Sequence, residues 1–162
     1  MFGRKHKTML ATGEQAPAFD LKNLAGGKQS LEQILAKGPV LLAFYKISCP
    51  VCQLTAPYLE RLAASEKLQI IGISQDDDAS TRGFLDRFGV KFPTLLDQSS
   101  EQYPASNAYG ISSVPSMFLV EPDGRISKSI GGFSKRDLED VGKRAGVAPF
   151  RPDEHVPEWK AG

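Results

Sequence analysis

The chain has 162 residues, 41% of them hydrophobic and 24% charged, and a formal net charge of +1. That is the length of one ordinary domain with the balance of a soluble globular protein. Acids and bases are mixed along it, which argues against a nucleic-acid surface or a polybasic membrane anchor.

The N-terminus, Met1-Phe2-Gly3-Arg4-Lys5-His6-Lys7, is basic, but Thr8-Met9-Leu10-Ala11-Thr12 follows it in place of the apolar run of a signal peptide. No stretch approaches the roughly 20 apolar residues of a membrane span. A cytoplasmic location is the resulting expectation.

In chain order, residues 1–12 read as a flexible arm. Residues 13–24 alternate weakly, and Ala25-Gly26-Gly27-Lys28 is a turn. Ser30 with Gln33 forms a capping-box pattern that opens a short helix ending at Gly38. Val40-Leu41-Leu42-Ala43-Phe44-Tyr45 is a continuous apolar run, expected of a strand buried on both faces. From Val51, apolar Leu54, Tyr58, Leu59 and Leu62 recur at helical spacing, with Pro57 inside the helix as an expected kink.

A second buried strand is predicted over residues 68–74. The acidic turn Asp76-Asp77-Asp78 leads from it into a helix carrying Phe84, Leu85 and Phe88, with Asp78 as its cap. Thr94-Leu95-Leu96 reads as a short strand and residues 103–109 as a weakly helical connection. Glu121-Pro122-Asp123-Gly124 is a turn between two strands expected to pair antiparallel. Ser134 caps a last helix ending near Gly146, and a proline-containing tail, residues 148–162, is expected to lie extended over the surface. In that tail Phe150 and Trp159 are the candidate anchors. The order of elements predicts an α/β domain over residues 13–147, with a central mixed sheet and helices on both faces.

Two cysteines, Cys49 and Cys52, sit where a buried strand gives way to a helix. Such a pair in a reducing compartment points to catalysis or metal binding ahead of structural stapling. Cys49 falls at the helix N-cap, where amides and the macrodipole favour the thiolate. Pro50 suits the first helical position because it has no amide to leave unpaired. Cys52, one turn further in, is expected to be more buried and to attack a mixed disulfide on Cys49, so the pair implies attack, transient mixed disulfide and release. The competing readings are an inert buried pair and a zinc site. Zinc lacks ligands here, because only His6 and His155 remain, one in each tail.

Several motifs then meet a family. Phe44-Tyr45, Cys49-Pro50-Val51-Cys52, Pro57 and Val114-Pro115 together resemble the thioredoxin superfamily. Gly13-Glu14-Gln15-Ala16-Pro17, Phe92-Pro93-Thr94-Leu95-Leu96-Asp97, Tyr109-Gly110-Ile111 and Pro122-Asp123-Gly124-Arg125-Ile126 are similar to the redoxin group, that of alkyl hydroperoxide reductase and thiol-specific antioxidant proteins, and to its thiol–disulfide reductase relatives. The resemblance implies a thioredoxin-like fold and a thiol–disulfide oxidoreductase using Cys49 as nucleophile and Cys52 as resolving thiol. Pro50, Val51 and Pro57 would support them. It also implies a cis Val114–Pro115 peptide whose Val114 backbone receives the substrate. Bottom-up, Ser113-Val114-Pro115 reads equally as an ordinary loop before a strand.

The expected partners are protein or small-molecule disulfides and thiols, with the upstream reductant open. A monomer is the simplest expectation. No cofactor beyond the redox-active disulfide is expected, and no metal. Ser48 replaces the tryptophan common in the family before the first cysteine, and Ala43 replaces the buried acid of thioredoxins. Proton transfer at Cys52 must therefore use another group or water.

The alternative activity is an antioxidant, peroxiredoxin-like peroxidase attacking hydroperoxides through Cys49. The proline and threonine that peroxiredoxins place ahead of their cysteine are Leu42 and Lys46 here. A metal-carrying or redox-inactive binding module is a third reading, weakened by the absence of histidine between His6 and His155. For the acidic turn there are two readings: a solvated turn whose Asp78 caps the next helix, or a group that shapes the choice of partner or raises the Cys49 pKa by like-charge repulsion.

Overall fold

The computed structural model describes residues 8–162. Its elements are β1 (Asp20–Asn23), β2 (Lys28–Ser30), α1 (Leu31–Leu35), β3 (Val40–Tyr45), α2 (Pro50–Leu62), β4 (Gln69–Ser74), α3 (Asp78–Phe88) and β5 (Thr94–Leu96). They continue with α4 (Pro104–Ala108), β6 (Ser116–Val120), β7 (Ile126–Gly131), β8 (Phe133–Ser134), α5 (Lys135–Ala145) and β9 (Trp159–Lys160).

Seven strands form one mixed sheet in the order β2-β1-β5-β4-β3-β6-β7, flanked by the helices. The apolar run of β3 takes a central place because every one of its residues is buried, which a strand with helices over it requires. It pairs parallel with β4 and antiparallel with β6. Phe44, Phe118 and Tyr109 meet at ring separations of 5.2–5.9 Å, and the buried Tyr109 hydroxyl donates to the Pro17 carbonyl at 2.8 Å.

This pairing fixes where the loops go. Tyr45 lies opposite Ser74, and Ser74 opposite Leu96, so β3, β4 and β5 all end on one edge of the sheet. β6 runs the other way and starts at that edge, with Ser116 opposite Phe44. The segments after β3, after β4 and before β6 are thereby brought side by side.

Local signals read in the sequence recur here. Ser30 and Gln33 form both bonds of the capping box, and β6 and β7 pair antiparallel. α2 continues through Pro57, which is exposed.

Two expectations are corrected. Asp77, not Asp78, caps α3 by accepting the Ser80 amide at 2.8 Å. Asp78 instead pairs with Lys22 at 2.8 Å. In the arm, residues 1–7 lie outside the described residues. Residues 9 and 10 pack on the domain: the Leu10 amide donates to the Tyr109 carbonyl and the Ser129 hydroxyl to the Leu10 carbonyl. Half-burying Met9 and Leu10 is the gain that holds them there.

The tail is anchored too. Phe150 packs edge-on against Tyr58 at 4.8 Å and near Phe133 at 6.0 Å. The Arg61 guanidinium takes the Glu154 carboxylate two-pronged and also donates to the Pro149 carbonyl. Trp159 is 60% exposed and anchors no apolar contact of that kind.

Candidate active site

Cys49 ends the loop after β3 and is the N-cap of α2, with Pro50 at the first helical position. Its backbone is extended there, and its sulfur accepts the Cys52 amide at 3.2 Å. That amide is one of those a helix leaves unpaired at its first turn, so negative charge on this sulfur meets the positive end of the helix. The Cys49 thiol also donates to the Val114 carbonyl at 3.2 Å. Cys49 is half-buried and Cys52 buried, both as free thiols.

Burial pushes the Cys52 thiol far above its ordinary range. The bond with Cys49 and the charges of Cys49 and Asp76 act in the same direction, while a backbone bond from Lys46 opposes them. The cause is burial: Cys52 lies on the inner side of α2 within the apolar core, where the charged form of the thiol loses its hydration. Tyr45, also buried, is pushed up to about 12, chiefly by desolvation.

Val114 and Pro115 lie across from the cysteines, joined by a cis peptide, as the resemblance implied. Ser116 closes the turn by donating to the Ser113 carbonyl at 2.7 Å. Val51 lines the same turn of α2 as the cysteines and packs on the core edge, whereas Pro57 is further along and exposed.

One residue here, Gln53, escaped the sequence reading, and the bond made by another, Asp76, was not foreseen. The Asp76 carboxylate accepts the Ile47 amide at 2.8 Å, and Gln53 Nε2 donates to the Ile47 carbonyl at 2.9 Å. Together they pin the loop that delivers Cys49. Asp76 belonged to the acidic turn singled out above, but only the parallel register of β3 and β4 sets it beside Ile47. Among the described residues, no group of three or more histidines, cysteines and acids is arranged to hold a metal ion.

A thioredoxin-like domain with a helix-capping CxxC pair beside a cis-proline loop is the architecture of the thiol–disulfide oxidoreductases. The AhpC/TSA family pattern matches residues 12–129, and the chain belongs to that family. It is 30% identical over 143 residues to the thiol-disulfide oxidoreductase ResA of Bacillus thuringiensis, covering 85% of this chain and 80% of that one. Among solved structures, the thioredoxin domain of a thiol-disulfide oxidoreductase from Bacteroides vulgatus superposes with a TM-score of 0.73. It is 26% identical over 83% of this chain and 97% of that one. Peroxidoxin BcpB from Mycobacterium tuberculosis shares the fold, with a TM-score of 0.69 and 23% identity over 84% of this chain and 94% of that one. The chain is an oxidoreductase acting on thiols and disulfides.

Proposed function

We propose that Cys49 attacks a disulfide of a protein or a small molecule and that Cys52 resolves the intermediate. The observation that carries this is the Cys49 sulfur at the helix cap, bonded to the Cys52 amide, with the Cys52 thiol one turn behind it. In the first step the Cys49 thiolate forms a bond to one substrate sulfur and the substrate S–S bond breaks, releasing one thiolate. In the second, Cys52 loses its proton, attacks Cys49 and releases the other substrate sulfur. The partner gains two electrons and two protons, and the chain ends as the Cys49–Cys52 disulfide, so no other cofactor takes part.

The high proton affinity of Cys52 supports this order, because a protonated second thiol leaves Cys49 as the one free to attack. The Val114 backbone is read as the edge that meets the substrate. Peroxide reduction has less support. Leu42, buried in β3, has no polar side chain, and Lys46 carries an ammonium where a peroxidase of this family has a threonine hydroxyl, so that hydroxyl donor is missing.

A single-turnover experiment decides between them. The fully reduced protein is mixed with insulin or with hydrogen peroxide, and loss of the two thiols is followed. Fast oxidation by insulin, with peroxide no faster than on a free thiol, is the expected result. Rapid oxidation by peroxide alone would replace this reading with a peroxidase.

A further inference from the structure

The last strand returns to the active site. Trp159 and Lys160 pair antiparallel with Ser134 and Phe133, and the Lys135 amide donates to the Glu158 carbonyl at 3.0 Å. Trp159 Nε1 lies 3.4 Å from the Gly131 carbonyl. Beyond that pair, Gly162 sits on the Val114 carbonyl so closely that a Cβ there would collide with it and come within 3.2 Å of the Pro115 nitrogen. This is the same carbonyl that accepts the Cys49 thiol at 3.2 Å. One backbone oxygen thus has the nucleophile on one side and the returning chain on another. Gly132 permits the approach: its φ is +72° and a Cβ on it would strike the Lys160 carbonyl.

The segment is held lightly. Residues 158–162 are all exposed, and two residue pairs make up the ladder between β8 and β9. Short exposed pairings of this kind open at low cost. The family pattern ends at residue 129, so this strand lies outside what the pattern describes.

We propose that residues 158–162 form a strap that sets the substrate size this site accepts. Cys49 is half-exposed with the strap seated, so a compact disulfide reaches its sulfur directly. A polypeptide disulfide brings flanking backbone that must lie over the loop in contact with that sulfur, and Gly162 fills that position. Protein disulfides therefore react through the fraction of molecules in which the strap has lifted, and their apparent rate is reduced by that fraction. The inference rests on the thiol–disulfide reading above.

The test compares the reduced full chain, a deletion of residues 158–162 and Gly162→Ala, each with 2-hydroxyethyl disulfide and with insulin. Circular dichroism checks the fold, and Gly162→Ala carries the comparison if the deletion does not fold. The expected result is an insulin rate raised about tenfold in both variants and a small-disulfide rate within about twofold of the full chain. An unchanged ratio of the two rates, or a lower insulin rate, overturns the strap. Failure of the small disulfide to oxidise any form overturns the thiol–disulfide reading itself, so the two failures are distinct. Trp159 is the single tryptophan of the chain and reports the strap directly. With Cys52→Ser trapping an insulin chain on Cys49, its emission is expected to shift, and an unmoved spectrum counts against the strap.

Discussion

At its first turn, α2 presents the Cys49 sulfur, which meets one amide and one carbonyl at 3.2 Å. At its last turn, the same helix commits Arg61 to both oxygens of Glu154, to a backbone carbonyl and to the face of Tyr58. The first end keeps its reactive atom lightly engaged, as a group that must break and form bonds requires. The second end fastens residues 149–154, and so holds the stem of a tail whose far end reaches the first. One helix therefore separates chemistry from anchorage by its own length, and substitutions at its two ends should fail in different ways.

The largest effect is expected at the reactive end. Cys49→Ser should lower disulfide turnover by at least about a thousandfold while leaving the thermal midpoint of unfolding in place. Cys52→Ser should still attack once and then accumulate a mixed disulfide, visible as a mass adduct. If Cys52→Ser turned over normally, the division of labour between the two sulfurs would be wrong.

At the anchoring end the pattern reverses. Phe150→Ala removes a half-buried ring from the Tyr58 and Phe133 contacts and should cost about 2 kcal/mol in urea unfolding, with the small-disulfide rate unchanged.

Asp76 offers a finer test, because it acts by position and by charge. Asp76→Asn keeps an acceptor for the Ile47 amide and removes the charge that helps hold the Cys52 proton. The pH profile of the resolving step should then move to lower pH. Asp76→Ala should show the same shift and lose about 1 kcal/mol of stability as the amide goes unpaired. Burial of Cys52 has its own signature. Its ordinary value is 9.0 and its folded value lies far higher, so its contribution is complete below pH 9 and is lost as pH rises beyond it. The reduced form should therefore weaken above pH 9 relative to the oxidised form, which has no such proton; equal slopes would contradict the burial argument.

The smallest effect belongs to the clasp in acid. Arg61 and the Arg151 amide hold the Glu154 carboxyl down to about 2 from its ordinary 4.5. A depressed carboxylate stabilises above 4.5, and that contribution disappears as pH falls from 4.5 to about 2. The Arg151 amide, which donates to Glu154 at 2.7 Å, should lose protection against hydrogen exchange across that interval. Protection that persisted through it would mean that the Arg151 amide does not depend on the Glu154 charge.

The sequence by itself determined the parts that rest on local periodicity and end signals. An unbroken apolar run made β3 a central strand, Ser30 with Gln33 started α1, and Cys49-Pro50 placed a thiol at a helix cap, since each needs only near neighbours in the chain. The acidic turn shows where this stops. Its place after β4 was legible, but which carboxylate capped the helix and which reached Ile47 depended on backbone directions one residue apart. Parallel strands would set the acidic turn on the edge of the cysteine motif, but only the tertiary register decided that Asp76 takes the Ile47 amide. Tertiary structure alone returned residues 159–162 to Val114, because a two-residue strand of exposed side chains has no periodicity to read. Its position comes from Phe150 and Glu154 upstream, and from two glycines that let backbones approach more closely than any side chain allows.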